Sequence, residues 1–130
     1  MCVFCEIIKG NIPTNKVYED EYTLAFLDLS QTTKGHTLVV PKNHVANFWD
    51  ADEATIDHVM HTVKIVSKLL QEKLGCQGMN ILTNVNEVAG QTVMHFHVHL
   101  IPRYSVDDTI DIQFHENKID IDALMDQLKH

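Results

Sequence analysis

The sequence predicts an α+β fold built on a mostly antiparallel sheet. Three observations carry that expectation. Short runs at 16–19 and 23–28 read as two strands, and the polar Asp20-Glu21 between them reads as a hairpin turn. One long helical stripe occupies 53–74. The strands that follow it lack the strand–helix alternation of a doubly wound nucleotide fold.

Each element follows in order. Phe4 to Lys9 reads as a short helical turn, stopped by Gly10-Asn11 and Pro13. Lys16–Glu19 and Thr23–Asp28 form the hairpin, and Thr37–Val40 is a third strand ending at Pro41. Ile56, Val59, Val63, Val66 and Leu70 recur at steps of three and four, which places an apolar stripe on one helix face. Asp50 with Glu53 is spaced as a capping box, and Gly75 stands where a C-terminal cap needs glycine. Met79–Thr83 and Met94–Ile101 are the fourth and fifth strands, and 120–129 is a weaker C-terminal helix.

Composition narrows the function classes. The chain has 130 residues, which fits a single domain spanning 1–130. Eighteen acidic against ten basic residues give a net charge of −8, which argues against a nucleic-acid binder, since that needs a basic footprint. A small nucleotide stays open, because a local site holds one phosphate whatever the net charge. No apolar run reaches the ~20 residues of a membrane span, and Met1–Glu6 lacks the pattern of a signal peptide. A cytoplasmic location is expected. Three cysteines, Cys2, Cys5 and Cys76, do not suggest a disulfide framework.

Nine histidines stand out, and three of them alternate: His95-Phe96-His97-Val98-His99. In a strand this puts the imidazoles on one face and the apolar residues on the other. Neighbours on that face are ~7 Å apart by the strand rise, so each imidazole needs its own partner or a polar cleft. An incidental polar face would more commonly hold Thr, Lys or Glu. Three-histidine metal binding is the second reading and is disfavoured by that spacing. Nucleophilic attack on phosphorus is the third, since neutral imidazole is a good nucleophile near pH 7. The polar run Asn84–Thr92 before the strand supports it, offering backbone N–H groups, the Gln91 amide and the Thr92 hydroxyl to phosphate oxygens.

With these residues in view, the sequence resembles the histidine triad (HIT) family, in the small bacterial Hit branch close to the Hint group. Residues 95–101 match the family's alternating motif at every position. The resemblance extends through Cys2–Ile8, Phe26-Leu27-Asp28, Gly35–His44, Asn84, Ala89-Gly90-Gln91 and Ile101-Pro102-Arg103. It implies a five-stranded sheet with one long helix and short terminal helices, assembled as a homodimer. It also implies a hydrolase that releases a purine nucleoside monophosphate, AMP above all, from phosphoramidate-type substrates. The motif's middle histidine, which forms the nucleotidyl intermediate, falls on His97. His99 is the phosphate-binding neighbour, and His95 completes the triad. Asn84, Gly90, Gln91 and Thr92 fall on positions around the phosphate. The Hint group prefers Ser where Thr92 stands. Asp28 matches the ribose-binding acid, and Phe4, Ile7, Phe26 and Leu29 the base pocket. Read on residues alone, those four are core first. His36 matches a supporting histidine. Dinucleoside polyphosphate hydrolysis, as in the Fhit branch, and a nucleotide-binding module with little turnover are the alternatives. The uridylyltransferase-like branch carries glutamine where this chain has His99.

The Cys2-Val3-Phe4-Cys5 pair reads either as a redox dithiol or as half of a zinc site. Its position at the chain start lacks the strand–helix context of a redox motif. The resemblance supplies the zinc partners, His44 and His95, which implies a structural zinc on Cys2, Cys5, His44 and His95. His58 and His61 read as solvated, Cys76 as a bystander, and His115 and His130 as tail residues.

Overall fold

The computed structural model describes residues 1–130. In chain order it contains α1 (Val3–Ile8), β1 (Lys16–Glu19), β2 (Thr23–Leu27), β3 (Thr37–Pro41), α2 (Glu53–Leu74), β4 (Gly78–Leu82), β5 (Val98–Arg103) and α3 (Ile121–Lys129). The strands make one antiparallel sheet in the order β1-β2-β3-β5-β4, which leaves β1 and β4 at its edges. No helix is long and apolar enough to cross a membrane.

Side-chain alternation splits the sheet into two faces. Ala25, Val39, Val98 and Leu100 point to α2 and meet Val59, Val63, Val66 and Leu70 in one core cluster. Leu24, Phe26, Leu38 and Val40 point the other way and pack on Phe4 and Ile7 of α1. Each fully buried aliphatic side chain contributes about 1.5–3 kcal/mol, so α2 is held mainly by its stripe. Because Phe96, Val98 and Leu100 enter the α2 core, the histidines between them are left on the α1 side.

α2 has the bounds its periodicity predicts, and Gly75 closes it at φ 68°. Its N-cap is Asp52, not Asp50: the Asp52 carboxylate accepts the Thr55 N–H at 2.8 Å, whereas the Asp50 N–H is turned back to the Asn47 carbonyl. β5 starts at Val98 rather than Met94. The ladder with β3 ends at the Val39–Val98 pair, and the Phe96 N–H goes to the Val45 carbonyl instead. β4 and α1 each lie one residue earlier than expected. His58 is stacked on Tyr22, with ring centroids 3.8 Å apart, rather than freely solvated.

Candidate active site

The break in the β5 ladder shapes the histidine cluster. His95 is fully buried and His97 is 6% exposed. His97 Nδ1 lies 2.7 Å from the His95 carbonyl oxygen. A carbonyl only accepts, so Nδ1 carries the proton and Nε2 presents its lone pair. Burial holds the His97 pKa below the usual histidine value, against the opposing pull of the His95 carbonyl and the Asp28 carboxylate. The ring is therefore neutral at pH 7, the state a nucleophile requires.

His99 is bound to His36 through Nδ1 and Nε2 at 3.0 Å, and His36 Nε2 is 3.8 Å from the Asp28 carboxylate. Burial, then the neighbouring His97 and His36, push the His99 pKa down to about 4. Burial lowers His36 as well. The triad rings do not hydrogen-bond one another, as the strand spacing predicts. The His97 and His99 rings still approach to 4.9 Å between centroids, closer than the ~7 Å of the backbone rise.

The loop between β2 and β3 places both Asp28 and His36. The Asp28 carboxylate accepts the Ser30 N–H at 2.8 Å. Gly35, at φ 96°, donates its N–H to the Gln31 side chain at 2.7 Å, and only glycine takes that φ without strain. Asp28 opens onto a cleft of about 370 Å³ lined by Phe4, Ile7, Phe26 and Leu29 together with Val3 and Leu38. Phe4, Ile7 and Phe26 are core residues and cleft walls at once, so both sequence readings apply to them. Leu29 is 86% exposed and forms the rim.

The loop before the triad departs from expectation in one respect. Gln91 is buried, and its amide is fully engaged by the protein. Nε2 donates to the Ala46 and Val93 carbonyls, and Oε1 accepts the Asn86 N–H. It braces the loop and does not present its amide to a phosphate. The N–H groups of Ala89, Gly90 and Gln91 are likewise turned inward, to Asn86 and Glu87 carbonyls. Asn84 reaches the Gly90 carbonyl at 3.5 Å and stays half-buried. Gly90 holds φ 102°. Thr92 is exposed, and its hydroxyl has no partner within the protein.

The N-terminal cysteines converge on His95. Cys2 Sγ is 3.4 Å and Cys5 Sγ 3.6 Å from His95 Nδ1, Cys5 Sγ is 3.4 Å from His44 Nδ1, and the two Nδ1 atoms are 3.2 Å apart. A tetrahedral zinc with Zn–S near 2.3 Å and Zn–N near 2.0–2.1 Å needs S···N edges of about 3.5 Å and N···N edges of about 3.3 Å. The four residues therefore fit zinc. His95 Nε2 is 2.9 Å from the Pro41 carbonyl, so it carries the ring proton and turns the Nδ1 lone pair into the cluster. Sequence reasoning missed this carbonyl, because a backbone acceptor leaves no trace in residue type. It also missed Asn47, which is buried and joins the turn before α2, by accepting the Trp49 and Asp50 N–H groups, to the triad loop, by donating to Asn86 at 3.2 Å.

Residues 9–106 match the family model described as the HIT domain. The chain belongs to the HIT family. Among HIT relatives, it is 48% identical to Protein hit of Bacillus subtilis over 82% of this chain and 74% of that one. It is 40% identical to adenosine 5′-monophosphoramidase of Schizosaccharomyces pombe over 78% of this chain and 74% of that one. The crystal structure of a HIT family protein from Bacillus anthracis superposes with TM-score 0.91 at 42% identity, covering 98% of this chain and 92% of that one. The α+β fold with a five-stranded antiparallel sheet is thus the HIT fold, as the sequence predicts.

Proposed function

We propose that this HIT protein is a nucleotide hydrolase that releases a purine nucleoside monophosphate, AMP above all, from phosphoramidate-type substrates. The observation that carries the reading is the unpartnered Nε2 lone pair of a neutral, buried His97, held by the His95 carbonyl beside an apolar cleft that ends in Asp28. Nε2 attacks the α-phosphorus, the P–N bond breaks, and the leaving amine takes a proton. Water then attacks the nucleotidyl-His97 phosphorus, the P–Nε2 bond breaks, and the monophosphate leaves with His97 neutral again. His99 stands beside the phosphate position, and Asp28 is placed to accept ribose hydroxyls. The cleft walls Phe4, Ile7 and Phe26 suit a flat base. Charge stabilisation and positioning supply most of the rate in such transfers. Similarity to the fission-yeast monophosphoramidase supports this substrate class.

Two copies are proposed to pair, and the open β4 edge, with Ile81 48% exposed, fits an assembly interface. A structural zinc is proposed on Cys2, Cys5, His44 and His95, where it would tie the N-terminal segment to the triad and fix the His95 ring. Its four protein ligands leave no open position for catalysis. Three free cysteines, two of them in that cluster, are consistent with the cytoplasm. The dinucleoside polyphosphate alternative draws little support from Arg103, whose guanidinium is bound to Asp108 and Asn80.

The test is AMP release from adenosine 5′-monophosphoramidate by the protein and by His97→Ala. Release by the unsubstituted protein alone supports the reading. No release from either, with AMP binding intact, transfers it to a binding module or to polyphosphate hydrolysis.

A further inference from the structure

Cys2 and Cys5 form a pair of their own within the cluster at His95. Cys2 is the N-cap of α1, and the Cys5 N–H, one turn on, is donated to Cys2 Sγ at 3.3 Å. Residues three apart on a helix have Cα atoms roughly 5 Å apart, by the helix radius and rise. A disulfide accepts about 4.4–6.8 Å. The two Sγ atoms already lie within 4.8 Å of one another. The cluster also reaches the surface: His44 is exposed and both cysteines are half-buried. A small oxidant therefore has a path to this sulfur pair. Cys76, the third thiol, is buried and lies outside the cluster.

The position of Phe4 gives such a bond a consequence. Phe4 stands between the two cysteines in sequence, and its ring packs edge-on against Phe26, His95 and His97, with centroids 5.5, 5.9 and 5.1 Å away. Phe4 and Ile7 are also walls of the cleft that ends in Asp28. They are the two buried residues of α1, and the cysteine sulfurs are where this helix meets His44 and His95. A six-residue helix does not hold itself in water, so these few contacts keep it in place.

We propose that Cys2 and Cys5 are a reversible oxidation site for a hydroperoxide, and that closing their disulfide detaches α1 from His44 and His95 and slackens the cleft wall. Bound zinc would supply one thing to this chemistry, thiolate in place of thiol at both sulfurs. Cys5 Sγ, beside the exposed His44, attacks a peroxide oxygen. The O–O bond breaks, hydroxide leaves, and Cys5 carries a sulfenic acid. Cys2 Sγ then attacks that sulfur, the S–S bond forms, and the S–O bond breaks to release a second hydroxide. Two electrons pass from the sulfur pair to the peroxide, and two protons from solvent turn the hydroxides into water. Two histidines then remain where four ligands stood, and a metal held there is released. The claim is independent of the hydrolase reading. It uses the zinc reading only for the thiolate form.

The protein as purified is assayed for metal and then titrated with hydrogen peroxide. Free thiols, peptide masses, zinc caught by a chromogenic chelator and hydrogen exchange of amides 6–9 are followed together. The expected product is a Cys2–Cys5 disulfide with Cys76 still free, and zinc released in step with it. The α1 amides should exchange about five-fold faster or more, and the dissociation constant for AMP should rise about three-fold or more. A thiol reductant with added zinc should reverse every change. Cys76→Ser should form the same disulfide, and Cys2→Ser should form none. Should Cys2→Ser fail to fold, the unsubstituted protein and Cys76→Ser carry the test. Oxidation that stops at a sulfinic acid, disulfides formed only between copies, or thiols inert at peroxide levels that oxidise glutathione overturn the proposal. So does a Cys2–Cys5 disulfide that leaves α1 exchange unchanged. Metal-free protein that still closes the disulfide retires the zinc reading and keeps this one. If AMP does not bind the reduced protein, the nucleotide reading fails, and the disulfide and α1 exchange alone decide.

Discussion

His97 donates from Nδ1 to the carbonyl of His95, two residues back on the same segment, at 2.7 Å. The bond exists because the chain leaves the ladder before Val98, freeing the His95 carbonyl from β-pairing. One carbonyl thereby sets the tautomer of one ring, and the same residue's imidazole faces the cysteine cluster. The proposed metal site and the proposed nucleophile are two ends of a three-residue segment.

The nucleophile assignment predicts that His97→Ala loses about 10³-fold or more in kcat for monophosphoramidate, the scale seen when a covalent nucleophile is removed. AMP affinity should stay within about ten-fold, since the cleft walls and Asp28 remain. Steady-state kinetics and calorimetric AMP titration check the two halves. Retention of near-full turnover discards the covalent route.

Zinc occupancy predicts one equivalent per chain by metal analysis of protein purified without chelator. Cys5→Ser should lower it well below one and drop the melting temperature by about ten degrees or more, because structural zinc binding is folding free energy. Full stability with no bound metal in the unsubstituted protein would sink the assignment.

His99 gives a pH dependence of known sign. Its pKa is lowered from 6.5 to about 4 in the folded protein, so between those values the unfolded chain binds a proton that the native state refuses. Stability is therefore complete above 6.5 and falls as the pH drops through that window. Urea midpoints from pH 7.5 to 4.5 should decline, and His99→Phe should decline less over the same range at equal zinc loading. Parallel curves for the two proteins would refute a buried, neutral His99.

The α2 stripe and the triad alternation were legible because both are periodic, and periodicity depends only on which residues are apolar. The same reading misjudged Asp50, since Asp50 and Asp52 both precede the helix and only backbone direction chooses between them. Gln91 was misread for a related reason. Its residue type announces donors and acceptors, but the Ala46 and Val93 carbonyls that engage them come from the backbone. The resemblance put His36 near the triad, but its bond to His99 in particular depends on β3 and β5 lying side by side.

Gly35 makes the β2–β3 loop sensitive to a single methyl. A Cβ there would lie 2.5 Å from Leu74 Cδ1 and 3.2 Å from Pro102 Cγ, at a φ of 96° that L residues rarely adopt. Gly35→Ala should cost about 1–3 kcal/mol in urea unfolding. Because the loop carries both Asp28 and His36, KM for monophosphoramidate should rise in the folded fraction. An unchanged midpoint with unchanged KM would show that the loop tolerates the strain elsewhere and does not position the site.

Asp28 is the residue whose role is most cleanly separated by ligand chemistry. Its carboxylate sits at the cleft end, with Oδ1 taking the Ser30 N–H and Oδ2 facing His36. If it also accepts ribose hydroxyls, Asp28→Asn should weaken AMP by about ten-fold, since hydrogen bonds to a charged group contribute about 1.5–3 kcal/mol. The same substitution should leave the 2′,3′-dideoxy analogue nearly unaffected, because that ligand has no hydroxyls to lose. Equal weakening of both would mean that Asp28 acts through His36 and His99 rather than on the sugar. The two titrations, run beside each other, tell recognition from support.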